Sequence, residues 1–231
     1  MTKKTTYLYL LLATLYCLLT LLKPYPFAWL VKILPMLVLL YTVSLEVIVK
    51  STLPKIANNQ TSNQNGKTVT MLLMALLCST CGDILLAMQG EHFFISGLTS
   101  FLIAHLFFLI SFKPLIKQNL IYIPIYAGVA VAVFSLMANK LNELFIPVFV
   151  YILVLLAMAV GTLLSSKSNK WMVIGGVFFV VSDSLIGLTK FYIEIPQSQL
   201  WIMITYYAAQ YCLVNGLLAA STRVASYEGG E

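Results

Sequence analysis

Eight apolar runs, each within the roughly 17–25 residues of a bilayer-spanning helix, take up most of this 231-residue chain: about 6–22, 27–48, 68–88, 94–112, 120–138, 144–164, 170–190 and 199–220. Lipid offers the backbone no hydrogen-bond partners, so only helices and closed barrels cross it. The runs are continuous rather than alternating, which selects helices. With 60% hydrophobic and 10% charged residues, against roughly 45–50% and 25% in a soluble domain, a water-soluble globule is excluded. The longest connection, Lys50 to Lys67, is rich in Asn, Gln, Ser and Thr and too short and polar to enclose a core. Residues 1–231 therefore read as a single integral membrane domain, all-α, with eight transmembrane helices. The first run follows Lys3 and Lys4 as a signal peptide would, but it lacks a small-residue cleavage site and continues into Lys23-Pro24. It reads as an uncleaved span.

With the N-terminus inside, Lys3, Lys4, Lys50, Lys55, Lys67, Lys113, Lys117, Lys167, Lys170 and Arg223 are cytoplasmic; Lys23, Lys140 and Lys190 are outside; Lys32 is within a span. Ten against three follows the enrichment of basic residues in short cytoplasmic loops. Both termini are thus expected on the cytoplasmic face, in a bacterial inner membrane. The net charge of +6 then describes edges that meet anionic lipid rather than a nucleic-acid groove. Asn59-Gln60-Thr61 matches a glycosylation sequon, silent on that side.

Cys78-Ser79-Thr80-Cys81 has the spacing of a redox motif. Inside an apolar helix, however, the charged thiolate is disfavoured, and these cysteines read as packing residues. His92 and His105 are the chain's two histidines, too few for a histidine cage. No metal and no other cofactor is expected.

Ionisable groups inside spans carry more information, because each costs roughly 2.5–3.5 kcal/mol at a helix centre and tends to mark function. They are Lys32, Asp83, His105 and Asp183, while Glu46, near a helix end, can snorkel. Gly82-Asp83-Ile84-Leu85-Leu86-Ala87 resembles Ser182-Asp183-Ser184-Leu185-Ile186-Gly187 one hundred residues later. Both lie on helices of the same direction, which suggests two parallel four-helix halves. At 1.5 Å rise per residue, Asp83 and Lys32 lie about 8 Å inside the outer ends of their spans, Asp183 about 10 Å, and His105 about 16 Å. By the same rise Tyr206 and Tyr207 lie about 11 Å deep, with Gln210 one turn deeper on the face of Tyr206. Five helices thus converge on one polar layer in the outer half of the membrane.

Taken together, Lys32-Ile33-Leu34-Pro35, Gly82-Asp83, Ala104-His105, Val181-Ser182-Asp183-Ser184-Leu185 with Lys190-Phe191, and Thr205-Tyr206-Tyr207-Ala208-Ala209-Gln210 resemble the YhhN-like lysoplasmalogenase family over nearly the whole chain. The chain departs from many of its members in having Lys32-Ile33 where they have Lys-Pro. The resemblance implies an eight-span hydrolase that cleaves the vinyl ether bond of a lysophospholipid, the lysoplasmalogen, releasing a fatty aldehyde and glycerophospho-ethanolamine or -choline.

That chemistry suits the residues. A vinyl ether hydrolyses by protonation of its β-carbon, capture of the oxocarbenium ion by water, and collapse of the hemiacetal. One carboxylic acid held protonated and one ionised carboxylate are enough, and Asp83 and Asp183 are the candidates. No serine nucleophile is required, and no Gly-x-Ser-x-Gly elbow is present. Lys32 either holds one aspartate ionised or meets the lipid phosphate. His105, Tyr206, Tyr207 and Gln210 position water or headgroup, or cross-link helices. Three other readings remain open: a transporter with a carboxylate on each repeated half, a receptor or structural bundle with polar helix glue, and a hydrolase of another lipid.

The topology is testable by reporter fusions. A fluorescent protein fused after Arg223 is expected to be bright and alkaline phosphatase at the same site inactive. The reverse pattern would overturn both the orientation and the depth of the polar layer.

Overall fold

The computed structural model describes residues 1–22, 27–52, 59–88, 90–116 and 119–228, with the backbone alone at 50–52, 59–64 and 222–228. The described residues form eight α-helices: α1 (Lys3–Thr20), α2 (Ala28–Thr52), α3 (Asn59–Ala87), α4 (Glu91–Ser111), α5 (Ile123–Ala138), α6 (Phe145–Leu164), α7 (Lys170–Phe191) and α8 (Ser198–Glu228). Seven of them, α2 to α8, are long and apolar enough to cross a membrane, which makes the chain an all-α, multi-pass integral membrane protein. The first expected span, α1, opens on Lys3, Lys4, Thr5 and Thr6 and falls short of the other seven. It packs against α2 and α8 all the same, burying Tyr9, Ala13 and Tyr16, which share one face at helical spacing.

The polar stretch 50–67, expected as a connection, is largely helical: α2 continues to Thr52 and α3 starts at Asn59. Hydropathy marks only the part of a helix that lipid covers, and once that part is formed each added turn propagates cheaply into polar sequence. Lys23, Lys55 and Lys117 lie outside the described residues, as do the side chains of Lys50, Arg223 and the sequon Asn59-Gln60-Thr61. Pro35 sits inside α2, which carries on through it.

The two ends of the bundle are tied separately. The Ile116 amide donates to the Leu164 carbonyl at 2.7 Å and Ser166 to Pro114 at 2.9 Å, while Lys167 Nζ reaches Thr68 Oγ1 at 2.7 Å. This joins the α4–α5 and α6–α7 connections to α3 at the end that holds Lys113, Lys167 and Lys170. At the other end Lys140 Nζ donates to the Tyr192 carbonyl at 2.9 Å.

Helix contacts repeat between the halves. The sequential pairs α1–α2, α2–α3 and α3–α4 are matched by α5–α6, α6–α7 and α7–α8, and α4–α6 is matched by α8–α2. Exchanging α1–α4 with α5–α8 thus maps most of the packing onto itself, as two parallel four-helix halves require. The exceptions are α1 and α3, which both lean on α8, and α5, which leans on α7.

Small residues bring the helices together. A Cβ at Gly175 on α7 would sit 2.9 Å from the Leu213 amide nitrogen, and one at Gly216 on α8 would sit 2.8 Å from the Met172 nitrogen. The start of α7 is pinned by Asn169, whose Oδ1 accepts from the Trp171 and Met172 amides and whose Nδ2 donates to the Gly216 carbonyl at 3.0 Å. Because those clashes involve backbone, Gly175→Ala and Gly216→Ala should each destabilise the bundle by about 1–3 kcal/mol. Gly128→Ala, with nothing within 4 Å, should be neutral or stabilising. Thermal unfolding in detergent measures all three, and equal stabilities would contradict the close α7–α8 approach.

Candidate active site

A buried ionic cluster forms around Asp83 on α3. Lys32 Nζ, reaching across from α2, lies 3.0 Å from Asp83 Oδ1 and donates to the Asp83 carbonyl oxygen at 3.1 Å. The Tyr206 hydroxyl on α8 donates to Asp83 Oδ2 at 2.7 Å. Lys32 is 5% exposed and Asp83 2%, so the pair satisfies itself rather than relying on water. Full pairing and hydrogen bonding is the condition under which buried charges are tolerated.

Local sequence explains the placement. Gly82 has no Cβ, and one there would lie 2.6 Å from the Phe101 ring. The space lets Phe101 pack edge-to-face on Tyr206 with ring centroids 5.8 Å apart, and Phe179 holds the same tyrosine at 5.8 Å. Tyr206 is thereby fixed with its hydroxyl toward Asp83. In the other half Ser182 stands where Gly82 does, and its Oγ donates to the Ile202 carbonyl at 3.3 Å.

The second cluster, around Asp183 on α7, has a phenol and an imidazole where the first has an ammonium and a phenol. Tyr151 on α6 donates its hydroxyl to Asp183 Oδ2. His105 on α4 lies with Nε2 3.6 Å from the same oxygen, beyond a good hydrogen bond. The imidazole is packed edge-on between Phe179 (4.7 Å) and Tyr151 (5.5 Å). Under the exchange of halves, Lys32 on α2 corresponds to Tyr151 on α6, and Tyr206 on α8 corresponds to His105 on α4. Each aspartate thus meets one partner from the preceding helix of its own half and one from the last helix of the other.

Of the residues that sequence singled out, Lys32, Asp83 and Tyr206 come together, and so do Asp183 and His105. Tyr207 is a helix cross-link. Its hydroxyl donates to the Lys32 carbonyl at 2.6 Å, its own carbonyl accepts from the Tyr9 hydroxyl at 2.7 Å, and its ring packs edge-to-face on Tyr9 and Tyr16. Gln210 is buried one turn deeper on α8. Tyr151 was missed by sequence reading, because a phenol in a span passes for ordinary core or interfacial aromatic. The signal that finds it is the repeat, which asks what α6 offers Asp183 where α2 offers Lys32 to Asp83. Cys78 and Cys81 are free, with Cys81 exposed on the outside of the bundle. Among the described residues no three of His, Cys, Asp and Glu converge.

The two clusters share a cavity of about 260 Å³ whose wall includes Lys32, Asp83, Asp183 and Tyr206, with Lys190 and Gln199 toward the end of the bundle that holds Lys140. A small apolar cavity of about 50 Å³ adjoins it, and Asp183, Leu86 and Phe101 line both. Such a site offers a paired carboxylate, a second carboxyl beside a phenol, and an apolar annex, which together suit proton transfer to an amphiphile.

Comparison with known proteins follows the same direction. The chain is 34% identical over 163 residues to a Mycobacterium bovis protein named lysoplasmalogenase, covering 65% of this chain and 61% of that one. It is 29% identical over 150 residues to human lysoplasmalogenase TMEM86A, 61% and 62% of the two chains. It is 32% identical over 155 residues to mouse lysoplasmalogenase TMEM86B, 66% of each. The chain thus spans about three fifths of the length of the first of these relatives. No solved structure matches it. The YhhN family model matches residues 27–217, which takes in every residue of both clusters and the cavity between them, and the chain belongs to the YhhN family.

Proposed function

We propose that this protein hydrolyses the vinyl ether bond of lysoplasmalogens, with Asp183 as proton donor and Asp83 as the ionised carboxylate. The observation that carries the reading is the unlike company of two buried carboxyl groups on one cavity wall: an ammonium at 3.0 Å beside Asp83, and a phenol and an imidazole beside Asp183. The names of the relatives supply the substrate class. Pairs of titratable groups in contrasting environments mark acid and base roles.

The steps balance without a cofactor. The Asp183 carboxyl gives its proton to the β-carbon of the vinyl ether, and the positive charge that develops on the α-carbon and ether oxygen is stabilised by the Asp83 carboxylate. Water attacks the α-carbon and passes one proton to Asp83. The hemiacetal then collapses: its hydroxyl proton returns to Asp183, and the Asp83 proton goes to the leaving glycerol oxygen. Aldehyde and glycerophospho-alcohol depart, both aspartates are restored, and one water is consumed.

Lys32 serves as counter-ion to Asp83, and Tyr206 and Tyr151 hold the two carboxyls in place. With Lys32 so engaged, Lys190 on the cavity wall is the cation that a headgroup phosphate meets. The ten-to-three division of basic residues supports an orientation with both termini cytoplasmic, the cavity mouth opposite, and the chain acting as one membrane domain.

Purified protein in detergent, with no second compartment, should release aldehyde from lysoplasmalogen, whereas a carrier would do nothing. Asp83→Asn and Asp183→Asn should each cut turnover by roughly 10²–10⁴-fold. The double variant should cost little more than either, because members of one catalytic unit are strongly non-additive. An Asn variant that is extracted intact and keeps more than about a tenth of wild-type turnover, well above a lost acid or base, would return that aspartate to a structural role.

A further inference from the structure

His105 on α4 is fully buried, yet among the described residues neither of its ring nitrogens has a hydrogen-bond partner. Phe179 and Tyr151 pack edge-on against the ring at 4.7 and 5.5 Å, contacts that a phenyl ring would make as well. A buried polar group without a partner costs stability. A bundle built for stability alone would therefore place Phe or Leu here, and the imidazole calls for another explanation. Its Nε2 stands 3.6 Å from Asp183 Oδ2, the same oxygen that accepts the Tyr151 hydroxyl. Asp183 Oδ1 accepts from no described residue, and Asp183 lines the cavity shared with Asp83.

We propose that His105 is a positioning residue for the acid: donating from Nε2 to Asp183 Oδ2, it fixes the transferable proton on Oδ1 and holds the carboxylate that remains once the proton has left. This inference rests on the hydrolase reading of the site. In a carboxylic acid the oxygen that accepts two donors is the carbonyl oxygen, which leaves the proton to the other. Oδ1 is then the atom that gives its proton to the β-carbon and takes one back from the hemiacetal hydroxyl. Hydrogen bonds to a carboxylate are roughly twice as strong as those to a neutral carboxyl. The contact from His105, slack at 3.6 Å, thus tightens as the proton departs, as catalytic hydrogen bonds that are long in the free enzyme do. Tyr206, in the equivalent place beside Asp83, already donates at 2.7 Å, the length of a bond to an ionised carboxylate. An interaction that strengthens only toward the transition state raises kcat and leaves KM alone.

The test compares lysoplasmalogen turnover, thermal unfolding in detergent and the infrared C=O band of protonated Asp183 in wild type, His105→Phe and His105→Gln. His105→Phe keeps the ring contacts and removes both nitrogens, while His105→Gln offers an amide donor at a similar reach. His105→Phe should lower kcat by about tenfold or more, leave KM unchanged, and unfold at the same or a higher temperature than wild type. His105→Gln should recover most of the lost kcat. Should His105→Phe fail to fold, His105→Leu removes the donor with a smaller side chain and should give the same split. Wild-type kcat in a folded variant without the donor would overturn the proposal and leave the hydrolase reading standing. So would a loss of kcat that follows a lowered unfolding temperature and is not recovered by His105→Gln, the mark of a structural role. If wild type releases no aldehyde, the hydrolase reading falls, and the band decides the contact by itself. A shift to higher wavenumber in His105→Phe that His105→Gln reverses keeps His105 as the partner of Asp183, and an unmoved band removes it.

Discussion

A charge within the hydrocarbon layer has no water to stabilise it, so the protein itself must supply the partner. In this chain that requirement is met by Lys32 and Asp83, 3.0 Å apart and buried. Meeting it recruits three helices at once, because the lysine comes from α2, the carboxylate from α3 and the capping phenol of Tyr206 from α8. The lysine's own carbonyl is tied to α8 by Tyr207, whose carbonyl is tied to α1 by Tyr9. Removing one member would leave an unpaired buried charge, which in buried pairs costs about 3–5 kcal/mol. The ion pair therefore fixes the relative positions of four helices.

The other half repeats the scaffold and changes the chemistry. Asp183 occupies on α7 the place of Asp83 on α3, but the helix that would deliver an ammonium delivers Tyr151, and the helix that would deliver a phenol delivers His105. Near-symmetric packing with unlike partners brings two carboxyl groups to one cavity without making them equivalent. Acid–base catalysis by two carboxyls needs that inequality, since two identical groups would compete for the same protonation state. Gly82 and Ser182 show the same economy of design: both are small enough for a neighbour to approach, one admitting the Phe101 ring and the other reaching the α8 backbone.

Much of this was legible in the sequence because the bilayer imposes simple rules. Span lengths follow from hydrocarbon thickness, and the helices match the apolar runs closely except where α3 extends back to Asn59 and α8 on to Glu228, beyond the reach of hydropathy. Asp83, Asp183, Lys32 and His105 stood out because ionisable residues are rare within spans. Phenols and amides are not rare there, which is why Tyr151 escaped notice while Tyr207 and Gln210, neighbours of Tyr206 in sequence, were grouped with it. Position along one helix does not say which face looks into a cavity. Which aspartate Lys32 would choose was equally invisible, since both lie at similar depth and only the lateral order of α2, α3 and α7 decides it. The apolar cavity beside Asp183 is walled by residues of several helices, a tertiary fact with no local signature.

The central claim is that Asp83 is ionised by Lys32 while Asp183 carries the proton. Infrared difference spectroscopy of the carboxyl C=O stretch, in detergent at neutral pH with deuterium exchange to identify the band, measures this directly. A protonated buried carboxyl band should be present in wild type, persist in Asp83→Asn and vanish in Asp183→Asn. A band that vanishes in Asp83→Asn and persists in Asp183→Asn would contradict the assignment.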